Sequence, residues 1–295
     1  MSVTGLYNKG GEQPPLLLGR TACLDLTRPR IMAVLNVTPD SFSDGGKHNS
    51  VDAALYRVAQ MVEEGADLVD IGGESTRPGA AAVPEEQELQ RVVPVVEAVR
   101  DRFDLAISVD SSKSVVARAA VAAGADFVND ISGLSFDQQM AATVAQSGAG
   151  LFLMHTRGRP DQMQHQTDYT DVMVEVITCL RNSMDKAISA GILPVKIAVD
   201  PGIGFGKSVE GNLELLQRLD ELLVLGRPVL LGTSRKSFIG RVLQQPDPRE
   251  RLYGTLATVA LGVASGARIF RVHDVRAARE TALMAWAVLH GIEAE

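Results

Sequence analysis

With 295 residues, of which 45% are hydrophobic, 4% aromatic and 22% charged, the chain can bury a large aliphatic core, and disordered and collagen-like classes are excluded. Its 29 Lys and Arg against 36 Asp and Glu leave a net charge of -7, so neither nucleic acid nor an anionic membrane surface is an expected partner. Cys23 and Cys179 lie far apart outside any CxxC spacing, which argues against a disulfide framework or a zinc ribbon and fits a reducing cytoplasm. No basic-then-apolar leader opens the chain, and the most apolar later stretch, 256–264, is too short to span a bilayer.

In chain order, the first dozen residues read as loose, giving an expected flexible tail over 1–15 and one catalytic domain over 16–292. LLLG (16–19) and CLDLT (23–27) are expected to form a hairpin capping the floor of that domain. Eight short aliphatic runs then recur: IMAVLN (31–36), DLVDIGG (67–73), LAISVD (105–110), DFVND (126–130), GLFLMH (150–155), KIAVD (196–200), PVLLGTS (228–234) and RIFRVH (268–273). Segments of helical periodicity separate them, such as Ala53, Val58, Met61 and Val62. Gly65, Gly124, Gly148, Gly191 and Gly266 each precede a run, as expected where a left-handed residue closes a helix and leads into a strand.

Near-continuous apolar strands alternating with helices imply a parallel sheet covered on both faces, and eight of them imply a single (β/α)8 barrel. An open doubly wound sheet is the rival, but its dinucleotide form needs GxGxxG after the first strand, where this chain reads NVTPDSFSDGG. The barrel brings Asn36, Asp70, Asp110, Asn129, His155, Asp200, Ser234 and Arg271 to one ring at the C-terminal mouth.

Asp110, Asn129 and Asp200 are acceptors at three strand ends, and a carboxylate can take two parallel bonds from an amidine-like edge such as that of a pterin or guanine. Lys236 can address a carbonyl and a ring nitrogen of the same ligand. Arg77, Arg271 and His273 form a second, cationic group suited to an anionic leaving group, with Asp274 placed to start the last helix. Asn36 can add an oxygen ligand for magnesium beside a diphosphate. No HxH, clustered His/Cys or GxSxG pattern points to catalytic zinc or a covalent nucleophile. The segment 252–267 is apolar or small on nearly all sides, as expected of a helix covered by a second copy, so a homodimer is expected.

The words IMAVLNVTPDSFSDGG, GADLVDIGGESTRPGA, ISVDSSKSVVARAA, GADFVNDISG, LMHTRGRPDQMQ, VDPGIGFGK, GTSRKSFIG and RVHDV, in this order over residues 16–290, resemble the dihydropteroate synthase family. The resemblance implies a cytoplasmic, magnesium-dependent folate-pathway transferase that joins a dihydropterin hydroxymethyl diphosphate to 4-aminobenzoate, releasing pyrophosphate, and that is a target of sulfonamides. It implies pterin contacts at Asp110, Asn129, Ile131, Met154, Asp200 and Lys236, and diphosphate contacts at Asn36, Arg77, Arg271 and His273, with Asn36 also on the metal. Aminobenzoate contacts are implied at Thr76, Pro78, Phe205, Ser234 and Ser237. The chain departs from the family pattern at Ser111, commonly Thr, and at MHTRG (154–158), usually MHMQG, which bears on the loop after the fifth strand.

The expected chemistry breaks the C–O bond ahead of attack. Asp110 stabilises a delocalised pterin cation, Arg77, Arg271 and His273 take up charge on the leaving pyrophosphate, and Lys236 positions both partners. Two alternatives share the acceptor pocket. A pterin-binding methyltransferase barrel is opposed by GTSRKS and TPDSFSDGG, and a non-catalytic pterin-binding relative by the complete cation group.

Overall fold

The computed structural model describes residues 15–38, 47–75, 79–80 and 82–292. Most of the expected tail, the loop 39–46 and the predicted site residues Thr76, Arg77 and Pro78 lie outside the described residues.

A two-stranded antiparallel hairpin comes first, β1 (Leu16–Leu18) with β2 (Cys23–Asp25). The barrel comes next as β3 (Arg30–Asn36), α1 (Lys47–Glu63), β4 (Leu68–Gly72), α2 (Glu85–Arg102), β5 (Ala106–Asp110), α3 (Ser114–Ala123), β6 (Phe127–Asp130), α4 (Met140–Ser147), β7 (Gly150–Met154), α5 (Val172–Ser189), β8 (Ile197–Asp200), α6 (Val209–Gln217), β9 (Leu230–Leu231), α7 (Ser237–Leu243), α8 (Leu252–Ala264), β10 (Ile269–Val272) and α9 (Val275–His290). All eight strands from β3 to β10 run parallel, β10 pairing with both β3 and β9. A parallel bridge from Val199 to Val229, with Val199 N–H donating to Pro228 O at 2.9 Å, closes the ring between β8 and β9.

Alternation along the strands sorts side chains into two cores. Ile31, Ile71, Ile107, Val109, Leu153 and their neighbours face the helices. Met32, Leu68, Phe127, Phe152, Leu230 and Ile269 fill the barrel from inside, with the Phe127 and Phe152 ring centroids 5.3 Å apart. Leu17, Leu24 and Leu26 join this inner cluster, so the hairpin plugs the floor as the sequence leads one to expect. Asp126 fastens it there, because its Oδ1 accepts from the Thr21 hydroxyl at 2.6 Å and from the Ala22 N–H at 3.2 Å.

The five glycines before strands all have positive φ, from 70° at Gly148 to 122° at Gly124. One strand is shorter than expected: of the run 228–234, Leu230–Leu231 form the strand, preceded by the single bridge at Val229. Pro228 has no N–H to donate, and the chain turns away after Leu231 to carry Ser234 and Lys236 across the mouth.

Candidate functional site

The inward-facing positions near the C-terminal ends of the strands carry Asp70, Asp110, Asn129, Asp200 and Arg271, beyond the last apolar layer of the barrel. Close approach is built into the backbone here. A Cβ on Gly72 would lie 3.3 Å from the Asp110 Cβ, and one on Gly232 would lie within about 4 Å of the Asp200 Oδ2 and the Lys236 Nζ.

Arg271 does not stand apart in a separate cationic group. Its Nε donates to Asp70 Oδ2 at 2.6 Å and its Nη2 to Asp110 Oδ2 at 2.7 Å, so it is wedged into the acceptor wall. Asp70 Oδ2 also accepts from Asn129 Nδ2 at 2.9 Å. Asp70 therefore fixes two predicted site residues at once, a role invisible in the sequence because it arises between strands. Burial pushes the Asp110 carboxyl up to about 7, with Arg271 pulling the other way. Burial likewise raises the Asp200 carboxyl, opposed by the Lys236 ammonium, and Asp200 Oδ1 accepts from the Gly202 N–H at 2.7 Å.

Lys236 holds the N-cap position of α7 without a side-chain cap bond, donates to Ile203 O and stands 4.6 Å from the centroid of the Phe205 ring. Burial lowers its ammonium to about 8, against the pull of Asp200. Ile131, Met154, Met163 and Phe205 form a small buried cluster of their own, separate from both cores. An apolar wall thus stands beside the polar one. Met163 lies in a short 3-10 turn, Met163–His165, and was missed by sequence reasoning although the word LMHTRGRPDQMQ contains it.

Of the other predicted residues, Asn36 ends β3 half-buried, and Ser234 is buried with its hydroxyl 3.0 Å from His273 Nδ1. His273 follows β10, and Ser237 is exposed at the start of α7. Asp274 holds the N-cap position of α9, but its carboxylate makes no cap hydrogen bond and pairs with Arg235 instead, so the expected capping is replaced by a tie between the loops after β9 and β10. The segment after β4, which leads to Thr76, is anchored at Glu74: Lys113 Nζ donates both to Glu74 and to the buried Glu88.

Magnesium prefers oxygen and, beside a diphosphate, needs few protein ligands. Asn36 supplies one neutral oxygen donor at the mouth, and among the described residues no group of three His, Cys, Asp or Glu is placed to hold a metal ion by itself. The neutral oxygen of Asn36 suits a hard, oxygen-preferring cation.

A barrel whose mouth joins buried carboxylates, an amide and a lysine to a Met and Phe wall is the architecture of an enzyme that binds a flat, donor-rich heterocycle. The family model for pterin binding enzymes matches residues 32–273. The chain belongs to this family, and within it to the dihydropteroate synthases. A dihydropteroate synthase of Synechocystis sp. is 50% identical over 264 residues, 90% of this chain and 91% of that protein. The structure of a Xanthomonas albilineans dihydropteroate synthase with 4-aminobenzoic acid superposes with a TM-score of 0.88 at 44% identity, covering 95% of this chain and 99% of that one. That of Yersinia pestis dihydropteroate synthase with a sulfonamide drug gives 0.87 at 45% identity, covering 92% and 98%.

Proposed function

We propose that this protein condenses a (7,8-dihydropterin-6-yl)methyl diphosphate with 4-aminobenzoate, giving 7,8-dihydropteroate and pyrophosphate. The observation that carries the reading is the wall of Asp110, Asn129, Asp200 and Lys236 beside the cluster of Ile131, Met154 and Phe205, joined where Met154 pairs with Asp200 in register and Lys236 stands 4.6 Å from the Phe205 ring centroid. Acceptors on the wall take the N–H edge of the pterin, Lys236 takes its carbonyl and ring nitrogen, and Ile131 and Met154 pack its faces.

Asp110, ionised, faces the positive charge that develops on the pterin as the C–O bond breaks. Arg271 has N–H groups beyond the two given to Asp70 and Asp110, and with His273 and Arg77 these receive the leaving diphosphate. Asn36 would hold magnesium, which when bound neutralises charge on the phosphates. Thr76, Pro78, Phe205, Ser234 and Ser237 surround the aminobenzoate, whose neutral arylamine attacks without a protein nucleophile. Sulfonamides that mimic aminobenzoate are expected to compete there.

The enzyme acts as a homodimer in this reading. Met284 and Val288 of α9 are 66% and 73% exposed and, with Ala260 and Ala264 of α8, line one apolar groove, a face suited to a second copy. We assign the protein to the cytoplasm; among the described residues no helix is long and apolar enough to cross a membrane.

The pterin assignment is tested by calorimetry on Asp200→Asn. The amide oxygen can keep the Gly202 N–H, but its NH2 then faces the pterin's donors and the Lys236 ammonium. Affinity for the pterin diphosphate should weaken by more than about tenfold. Unchanged affinity would remove Asp200 from the site.

A further inference from the structure

Five consecutive carbonyls in the loop after β8 are each held by a side chain. Gly202 O and Phe205 O accept from Lys207 Nζ at 2.9 and 2.8 Å, Ile203 O accepts from Lys236, Gly204 O accepts from Gln164 Nε2 at 3.2 Å, and Gly206 O accepts from the Tyr169 hydroxyl at 2.8 Å. The loop needs such holding. Gly202, Gly204 and Gly206 all sit at positive φ, where glycine has no conformational preference, and of the five carbonyls Gly202 O also accepts from a backbone group, the Phe205 N–H at 3.0 Å.

Lys207 is the centre of this arrangement. Only 3% exposed, it forms no salt bridge among the described residues, and its remaining N–H meets His155 Nδ1 at 3.0 Å. Burial lowers the His155 imidazole to about 2, so the ring is neutral, and its Nδ1 accepts when Lys207 carries its proton. When protonated, Lys207 therefore spends all three donors inside the wall. Burial lowers the Lys207 ammonium to about 7, with Asp200 pulling the other way, and the acceptors of this one loop together with His155 are what favour its charged form.

We propose that Lys207 is a positioning residue for capture of the arylamine substrate: by holding the Gly202 and Phe205 carbonyls against His155, it fixes the Phe205 ring at the mouth without touching substrate. The inference rests on the reading that aminobenzoate binds beside Phe205. Tyr169 does the same work at the far end of the loop, where the Arg157 guanidinium lies 3.9 Å from its ring centroid and pairs with Glu175. Arg157 is one of the positions at which the sequence departs from the family pattern.

The test is steady-state kinetics on the full chain with both substrates varied. Lys207→Met keeps the stem and removes the donors; it should raise KM for aminobenzoate by about tenfold or more while KM for the pterin diphosphate moves less than about threefold. Lys207→Gln, which restores donors without charge, should recover part of the loss, and Tyr169→Phe should give a smaller rise with the same selectivity. A residue that only supports the fold would lower Tm and the active fraction and leave both KM values in place; that outcome overturns the proposal. Should Lys207→Met fail to fold, Lys207→Gln and Tyr169→Phe decide by the same criterion. Phe205→Ala separates the positioning role from the placing of the substrate. If it raises the aminobenzoate KM and the loop variants do not, the positioning role falls alone; if none raises it, the placing of aminobenzoate at Phe205 falls as well.

Discussion

Asp110 is where the chemistry and the environment pull hardest against each other. In the proposed reaction it must be ionised to stabilise positive charge, yet its burial pushes it up to about 7, opposed first by Arg271, which Asp70 holds in place. As pH falls through about 7, Asp110 takes up a proton and ceases to be a full acceptor, so affinity for the pterin should weaken on the acid side by up to about tenfold per pH unit, and it should weaken again above about 8 as Lys236 loses its proton. Calorimetry with a pterin lacking the diphosphate, from pH 5.5 to 8.5, separates this titration from that of the phosphates; a flat profile would mean that Arg271 keeps Asp110 ionised throughout. The sequence carried these residue types and their places at strand ends. It did not carry their pairing, because Arg271 and Asp70 are 201 positions apart and meet only when β10 closes beside β3 and β4. Arg271 therefore read as one of a cationic trio, and Lys207, at the end of the word VDPGIGFGK, read as nothing in particular.

At the scale of elements the sequence was more informative, since apolar runs and helix-closing glycines are local signals. It overran at β9, where three polar or glycine residues after Leu231 belong to the loop that carries the site. The hairpin was legible from the alternation in CLDLT, and its role comes from packing: Leu17 is fully buried inside the barrel floor against β8 and the Phe127 layer. Leu17→Ala should cost about 2–5 kcal/mol of stability, because the rigid barrel around it cannot collapse into the space left. Urea unfolding checks this. A loss under about 1 kcal/mol would mean that the hairpin rests on the barrel without completing its core.

For the whole molecule, closure of the sheet is what gathers the strand ends into a site, and the outer face of α8 and α9 carries an exposed apolar groove. If that face joins two copies, Val288→Asp should convert a dimer to a monomer by light scattering at micromolar concentration, since a charge in an apolar interface has no partner there. A wild-type monomer under the same conditions would remove the dimer altogether. The central claim, however, is that this mouth carries out the condensation itself. Its most direct test is pyrophosphate release by the purified protein given the dihydropterin diphosphate, 4-aminobenzoate and magnesium. The predicted result is stoichiometric formation of pyrophosphate and 7,8-dihydropteroate, suppressed by omitting aminobenzoate or by chelating the metal. Tight binding of the pterin diphosphate with no pyrophosphate released would contradict that claim and leave a pterin-binding protein without this activity.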